Sequence, residues 1–506
     1  MRQRPNYHRG MRSAVFLLAA LLLFVGCSSS TTRPIPPPTV TGTRNLTGPS
    51  QDWLTFGYDA ARSGVNPNER IVSPNNVAGL HRLWQVTLPG VEDSPPVLLS
   101  GLTLPDGSVR DMLYVLTRDG QFLALDAASG AILWSHHPSG PKITHSSPVA
   151  DPSRQYVYAY GLDGALHKYA ATTGDEVTSG GWPASITRMT SSEKESSAPN
   201  LANGRIYVIT SGYLGDAPPY QGHVVSIAFA DGSEHIFNSL CANLPYLLGP
   251  TDCASQQSGI WARGGAIVDP TTGNLFVVTG NGPYTGNTGG NDWGDSVLEL
   301  SPDGSRLLDS YTPATYRQLD ETDADLGSTA PALLPTVPNS RTPYMLVQGG
   351  KDGILRLLNR RDLSSAGGLG HIGGELQTLA TATCGLFTQP VVWQDPASGA
   401  VFVFVAAQCG FTAYRLDTDA SGVSRLRQVW AADLRATTPI LAGGVLFAAT
   451  SGAIVALDPA TGHTLWTSDQ ASAGGTIGSI HWQSPIVAGG RLYCADESGH
   501  LTAYGL

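Results

Sequence analysis

Residues 450–469 read TSGAIVALDPATGHTLWTSD, and the organisation of the whole chain follows from this run. AIVALD alternates as a strand does; DPATG is a turn in which Pro459 fixes φ and Gly462 tolerates a left-handed backbone; Trp466 belongs to the next strand. The same arrangement stands at LDAASGAILW, where Trp134 follows Gly130 at the distance at which Trp466 follows Gly462. A large amphipathic ring at a repeated place is expected to pack between neighbouring repeats, its N–H reaching a nearby backbone carbonyl.

Outward from this motif, a small or polar residue and a proline open a strand seven times: SPPVLLSG, SSPVADPS, SAPNLANG, TAPALLPT, TQPVVWQD, TTPILAGG and QSPIVAGG. An eighth, GGAIVDPTTG, lacks the proline. Each is followed by strands of the types RIYVITSG and QFLALDAASG, and several repeats close with a Trp-bearing strand such as AILWSHH or SRLRQVW. Four short strands recurring about every fifty residues are the signature of a propeller blade. The fold predicted is therefore all-β, an eight-bladed β-propeller of four-stranded antiparallel blades. The last repeat ends at HLTAYGL without a fourth strand, while HRLWQVTL precedes the first opening strand, so an N-terminal strand is expected to complete the last blade and close the ring.

Composition agrees: 59 glycines, 35 prolines and only 14% charged residues suit short strands and turns. The net charge is −10, with no basic cluster beyond the extreme N-terminus, which argues against nucleic acid as a partner. That N-terminus reads RQRPNYHRGMR, then AVFLLAALLLF, then VGC ending at Cys27. It has the form of a secretory signal, is too short for a spanning helix, and resembles a bacterial lipoprotein cleavage site. The expected division is a signal peptide over 1–27 ending at a lipidated Cys27, a Ser/Thr/Pro-rich tether over 28–50, and the propeller over 51–506. The membrane would be a partner through the lipid anchor. Ser28, in place of an aspartate after Cys27, points to an outer membrane, facing the periplasm, if the cell is Gram-negative.

An oxidising compartment makes disulfides plausible. Cys384 and Cys409 stand at equal distances from the turn QDPASG and are expected to face each other across a hairpin. Cys241 and Cys253 bracket ANLPYLLGPTD and are expected to staple it, and Cys494 reads as a buried free thiol.

The first strand of a blade is innermost, so residues just before each opening strand should gather at the mouth of the central channel. Those positions carry His145, Lys194 with Glu195, Arg263, Asp325, Phe387, Arg435, and His481 with Trp482. Arg263 and Trp482 are candidate ligand-binding residues. The loop GNGPYTGNTGGNDWGD either holds a ligand or is a flexible connection.

LDPATGHTLW, LDAASGAILW and the lead-in DWLTFGYDAARSGVNPNERIVSPNNVAGLHRLW resemble the quinoprotein alcohol dehydrogenase-like propellers, whose enzymes bind pyrroloquinoline quinone. The resemblance runs over nearly all of 51–506. It implies that Asn281 in TGNG is a calcium ligand, that Asp323 in TDAD is catalytic base and calcium ligand with Asp325 as the other register, and that Lys351 in GGKDG contacts the quinone. The chain departs from the family in lacking the adjacent cysteine pair. It has Leu214, with Asp216 nearby, at the calcium-binding glutamate, and Gly265, with Trp261 four residues earlier, at the tryptophan beneath the quinone. The implied function is a cell-envelope lipoprotein that binds a small ligand, pyrroloquinoline quinone with calcium, in the funnel and oxidises an alcohol or sugar. The alternative is a non-catalytic scaffold for envelope proteins, resembling the lipoprotein propeller of the barrel-assembly machinery.

Overall fold

A computed structural model describes residues 51–213, 216–381 and 384–506. The signal peptide, Cys27, the tether and Leu214 lie outside the described residues. Eight antiparallel sheets follow one another along the chain at 97–136, 149–185, 193–238, 267–311, 332–380, 391–432 and 440–467, with the eighth built from both ends of the propeller. In that last blade His81–Thr87 pairs antiparallel with His500–Gly505, from His81 opposite Gly505 to Thr87 opposite His500. Closure through an N-terminal strand satisfies what would otherwise be two free sheet edges. The outermost strand His81–Thr87 alternates half-buried and exposed positions, whereas Phe122–Asp126 is buried throughout, because each sheet packs on a neighbour on both faces. Among the described residues no helix is long and apolar enough to cross a membrane.

The repeated tryptophans join blades. Each donates its indole N–H to a backbone carbonyl of the following blade: Trp84 to Ala127 at 3.2 Å, Trp134 to Ala171 at 3.3 Å, Trp430 to Pro459 at 3.0 Å and Trp466 to Leu80 at 3.0 Å. The turn glycine of that next blade lies under the ring. A Cβ on Gly174 would come within 2.7 Å of Trp134, and one on Gly462 within 2.7 Å of Trp430. Gly462 also sits at φ +75°, so both backbone and space exclude other residues there. Glycine and tryptophan of one motif therefore serve different interfaces: Gly462 receives Trp430 from the blade before, and Trp466 reaches the blade after.

The lead-in does more than precede the first blade. Residues 51–66 run across the inner strands, exchanging main-chain hydrogen bonds between Trp53 and Leu98 and accepting bonds from Ala150, Val268, Val392 and Leu441 on four further blades. Val65–Asn66 then pairs parallel with Ile440–Ala442. These contacts fall at or beyond the start of each inner strand, whereas the predicted channel residues come before it, so the lead-in closes the end opposite the mouth. Arg62, fully buried, inserts its guanidinium at that closure. It donates to Gly264 O at 2.9 Å, Ala198 O at 3.0 Å, Pro199 O at 2.8 Å, Phe56 O at 2.6 Å and the Thr55 hydroxyl.

Both expected disulfides are formed, Cys241–Cys253 with Cα atoms 6.1 Å apart and Cys384–Cys409 with 6.0 Å; Cys494 is buried and free. The hairpin of Val391–Gln394 and Val401–Ala407 continues past a register shift to a Leu386–Ala407 bridge. Two residues further along each arm, in the same register, stand Cys384 and Cys409.

Candidate functional site

The residues before the opening strands converge as the propeller geometry requires. His145, Lys194, Arg263, Asp325, Phe387, His481 and Trp482 all line one open cavity of about 470 Å³ at the channel mouth. Arg435 instead lines a neighbouring cavity that shares Phe387, His481 and Trp482. Glu195 also leaves the cavity: it is adjacent to Lys194 on the strand Glu193–Glu195 and so points the other way. It accepts a hydrogen bond from Ser146 Oγ at 2.9 Å, and complete burial pushes its carboxyl well above the usual range.

One wall is basic and organised by a residue absent from the predicted set. Asp93, its side chain wholly buried, accepts from His145 Nδ1 at 2.6 Å, His481 Nδ1 at 2.9 Å and the Trp482 N–H at 3.2 Å, and pairs with Arg118 at 3.1 Å. Burial raises the Asp93 carboxyl, but the two histidine hydrogen bonds and nearby charges outweigh it and hold the group well below its ordinary range. Burial, with Arg263 and Lys194 adding to it, pulls His145 down to about 3 against the opposing Asp93 bond, so its ring is neutral. Arg263 lies over the Trp482 ring, 4.5 Å from its centroid. Asp93 was legible in principle: in VEDSPP it occupies the same place before the first opening strand as His145 does before the second.

A second group of lining residues is acidic. The short helix Tyr316–Glu321 ends just before Asp323, which takes φ +52°, and the turn brings Asp323 and Asp325 onto one ammonium. Lys351 Nζ is 2.8 Å from Asp323 and 2.5 Å from Asp325. Burial alone would lower this ammonium, but the two carboxylates hold it above its ordinary value. Asp216, at the rim, is raised by burial and then by Asp325 and Asp323. Trp261, four residues before the family position, lines the cavity and supplies an aromatic surface there.

Asn281 stands behind Asp325. Its N–H donates to Asp325 Oδ1 at 2.8 Å, its side-chain amide donates to Asp295 at 3.1 Å, and its buried Oδ1 has no partner among the described residues. The loop that follows is pinned by Trp293, which packs in the core against Gly286, and by Tyr284 donating to Gly370 O at 3.0 Å.

Trp261, Phe387 and Trp482, set among Lys194, Arg263 and Lys351, suit a flat, polyanionic aromatic ligand. A calcium ion needs six to eight oxygens. Here Asn281 Oδ1 is one free acceptor, while Asp323 and Asp325 are already held by Lys351, which calcium would have to displace.

Buried acids make the stability of this site pH-dependent. Burial pushes Glu193 and Asp295 up to about 8, and Glu92 and Glu195 well above the usual range. Each contributes stability that is full below its unfolded value, 4.5 for Glu193 and 3.8 for Asp295, and lost as the pH rises through the folded value. His145 and His223, depressed from 6.5 to about 3 and about 4, act in the opposite sense below 6.5 but are outnumbered by the four acids. The unfolding temperature is expected to fall between roughly pH 5.5 and 7.5, and Glu193→Gln to flatten the fall. A calorimetric profile that rises over that interval would contradict the neutral state of these acids.

Residues 76–240 and 413–505, just over half of the chain, match the family described as "Outer membrane protein assembly factor BamB", a family of PQQ-repeat propellers. The chain belongs to this family. Within the wider set of PQQ-repeat propellers it is 24% identical over 338 residues to the quinohemoprotein alcohol dehydrogenase ADH IIB of Pseudomonas putida, covering 61% of this chain and 46% of that protein. The dehydrogenase subunit of the quinone alcohol dehydrogenase of Komagataeibacter europaeus is 23% identical over 348 residues, 61% and 44% of the two chains. The chain thus spans less than half the length of the curated relatives it matches. Among solved structures, a europium-containing methanol dehydrogenase superposes with a TM-score of 0.64 at 15% identity, covering 90% of this chain and 98% of the other. The quinohemoprotein alcohol dehydrogenase of Comamonas testosteroni gives 0.62 at 16%, covering 90% and 80%. These likenesses establish a quinoprotein dehydrogenase-like propeller fold.

Proposed function

We propose that this protein is an envelope lipoprotein, anchored through Cys27, whose propeller binds a flat aromatic polycarboxylate of the pyrroloquinoline quinone type in the funnel and uses it to oxidise an alcohol or sugar. The observation that carries the reading is that one cavity is lined by an Asp323–Lys351–Asp325 triad, by Arg263 and Lys194, and by the rings of Trp261, Phe387 and Trp482. Arg263 would hold a carboxylate, Trp482 and Trp261 would cover the rings, and Lys351 would meet the quinone oxygens. Such a quinone, when bound, supplies the two-electron sink that the side chains lack. Asp323, more exposed than Asp325 and sharing the Lys351 ammonium, is the group placed to take a proton from a substrate hydroxyl.

The test is to titrate the purified protein with pyrroloquinoline quinone, with and without calcium, following the quinone spectrum and alcohol-dependent dye reduction. Binding is expected in the absence of calcium, since Lys351 supplies the cation, and Lys351→Met is expected to weaken it by about tenfold or more. No spectral change at high micromolar quinone would overturn the reading. It would leave the second one, a non-catalytic scaffold for envelope protein assembly, which the family description favours.

A further inference from the structure

The chain contains 26 arginines but only four lysines, Lys142, Lys168, Lys194 and Lys351, and two of the four face the central cavity. Arginine is never deprotonated in proteins; a buried lysine can be. The two cavity lysines differ in that respect. Lys351 is neutralised by two aspartates. Lys194 is 4% exposed, and among the described residues no hydrogen bond or ion pair holds its ammonium; the Tyr213 ring lies 5.3 Å away. Burial, and then the charge of Arg263, pull it down to about 7, so a large share is free amine near neutral pH.

Arg263 beside it is also without a carboxylate. Its guanidinium donates to the carbonyls of Ser196 and, at 3.4 Å, His145, and its face lies on Trp482. An amine with a free lone pair in the same cavity as a guanidinium that has no carboxylate partner, among the rings of Tyr213, Trp261, Phe387 and Trp482, matches a ligand carrying a carbonyl adjacent to a carboxylate.

We propose that Lys194 captures the carbonyl of a small 2-oxo acid as an imine, with Arg263 holding the carboxylate of that acid. The Nζ lone pair adds to the carbonyl carbon as the C=O π electrons move to oxygen. One Nζ proton passes to that oxygen to make the hydroxyl of a carbinolamine; as the second Nζ proton is given up, the C–O bond breaks, the oxygen leaves as water carrying both protons, and a C=N bond remains. No oxidant or reductant is required. Neutral His145, its Nδ1–H committed to Asp93, offers Nε2 in the same cavity as a relay for the proton. This activity does not depend on the quinone reading.

The whole protein, incubated with pyruvate and cyanoborohydride and then digested, would be mapped for reduced adducts on its four lysines. The adduct is expected on Lys194, about tenfold faster than on any other lysine. It should be absent in Lys194→Arg, retained in Lys142→Arg, and slower in Arg263→Met or when acetone, which lacks the carboxylate, replaces pyruvate. Adducts spread evenly, concentrated on Lys351 or Lys142, or absent from the wild-type protein would overturn the proposal. The wild-type map decides the matter without relying on the folding of any variant, and the quinone titration is read separately.

Discussion

Arg62→Met is expected to lower stability by about 3–5 kcal/mol, seen as a large drop in the urea midpoint. Burial alone disfavours this guanidinium, which is pulled down to about 9 despite Asp59 and Glu195. What holds it in place is a set of four main-chain carbonyls and one hydroxyl, drawn from the lead-in and from the third and fourth blades. Methionine fills similar space but leaves those acceptors unpaired, each costing about 1–3 kcal/mol in a dry interior, with partial relief by relaxation. Lysine, with one donor group on a flexible stem, should recover only part of the loss. A midpoint shift worth less than about 1 kcal/mol would mean that the plug at the closed end of the channel is held by its main-chain bonds alone.

The second large effect is Trp466→Ala, expected to cost about 3–5 kcal/mol. The ring is 2% exposed, meets Tyr504 edge-on at 5.5 Å and donates to Leu80 O, so its removal opens a cavity between the seventh and eighth blades. The eighth is also the blade through which the ring is closed. Trp466→Phe keeps most of the packing and loses one hydrogen bond, about 1 kcal/mol. Trp134→Ala should cost less than Trp466→Ala, because Trp134 is only half-buried. Equal losses at the two positions, measured by chemical denaturation, would count against the burial argument.

The repeat made the fold readable. Strand alternation, a Pro/Gly turn and a tryptophan at fixed spacing are local signals, and eight copies of them leave little freedom in topology. Blade count, closure by His81–Thr87 and both disulfides follow from local signals: repeated strands, one missing strand, register within one hairpin for Cys384–Cys409, and a short bracketed insertion for Cys241–Cys253. The mouth of the channel was readable for a related reason: the residues just before the inner strands lie near the axis, and most of those named line the cavity, Glu195 and Arg435 being the exceptions.

What each mouth residue meets there was not readable. Lys194 and Glu195 are neighbours in sequence and could have been paired; strand alternation sends one into the cavity and the other into the core. Asp323 and Asp325 look like cation ligands in sequence, and in the fold Lys351, 28 residues from Asp323, is already their cation. Asp93 binds His145, 52 residues on, and His481, 388 residues on, and neither separation leaves a trace in local pattern.

The sequence alone therefore determined the eight-bladed ring, its closure and the positions facing the axis, because these rest on short-range periodicity repeated many times. Only the tertiary structure decided the charge arrangement of the cavity, the Arg62 plug and the difference between a paired and an unpaired lysine. Closing the ring brings together side chains from distant blades, and their burial and partners arise from that juxtaposition.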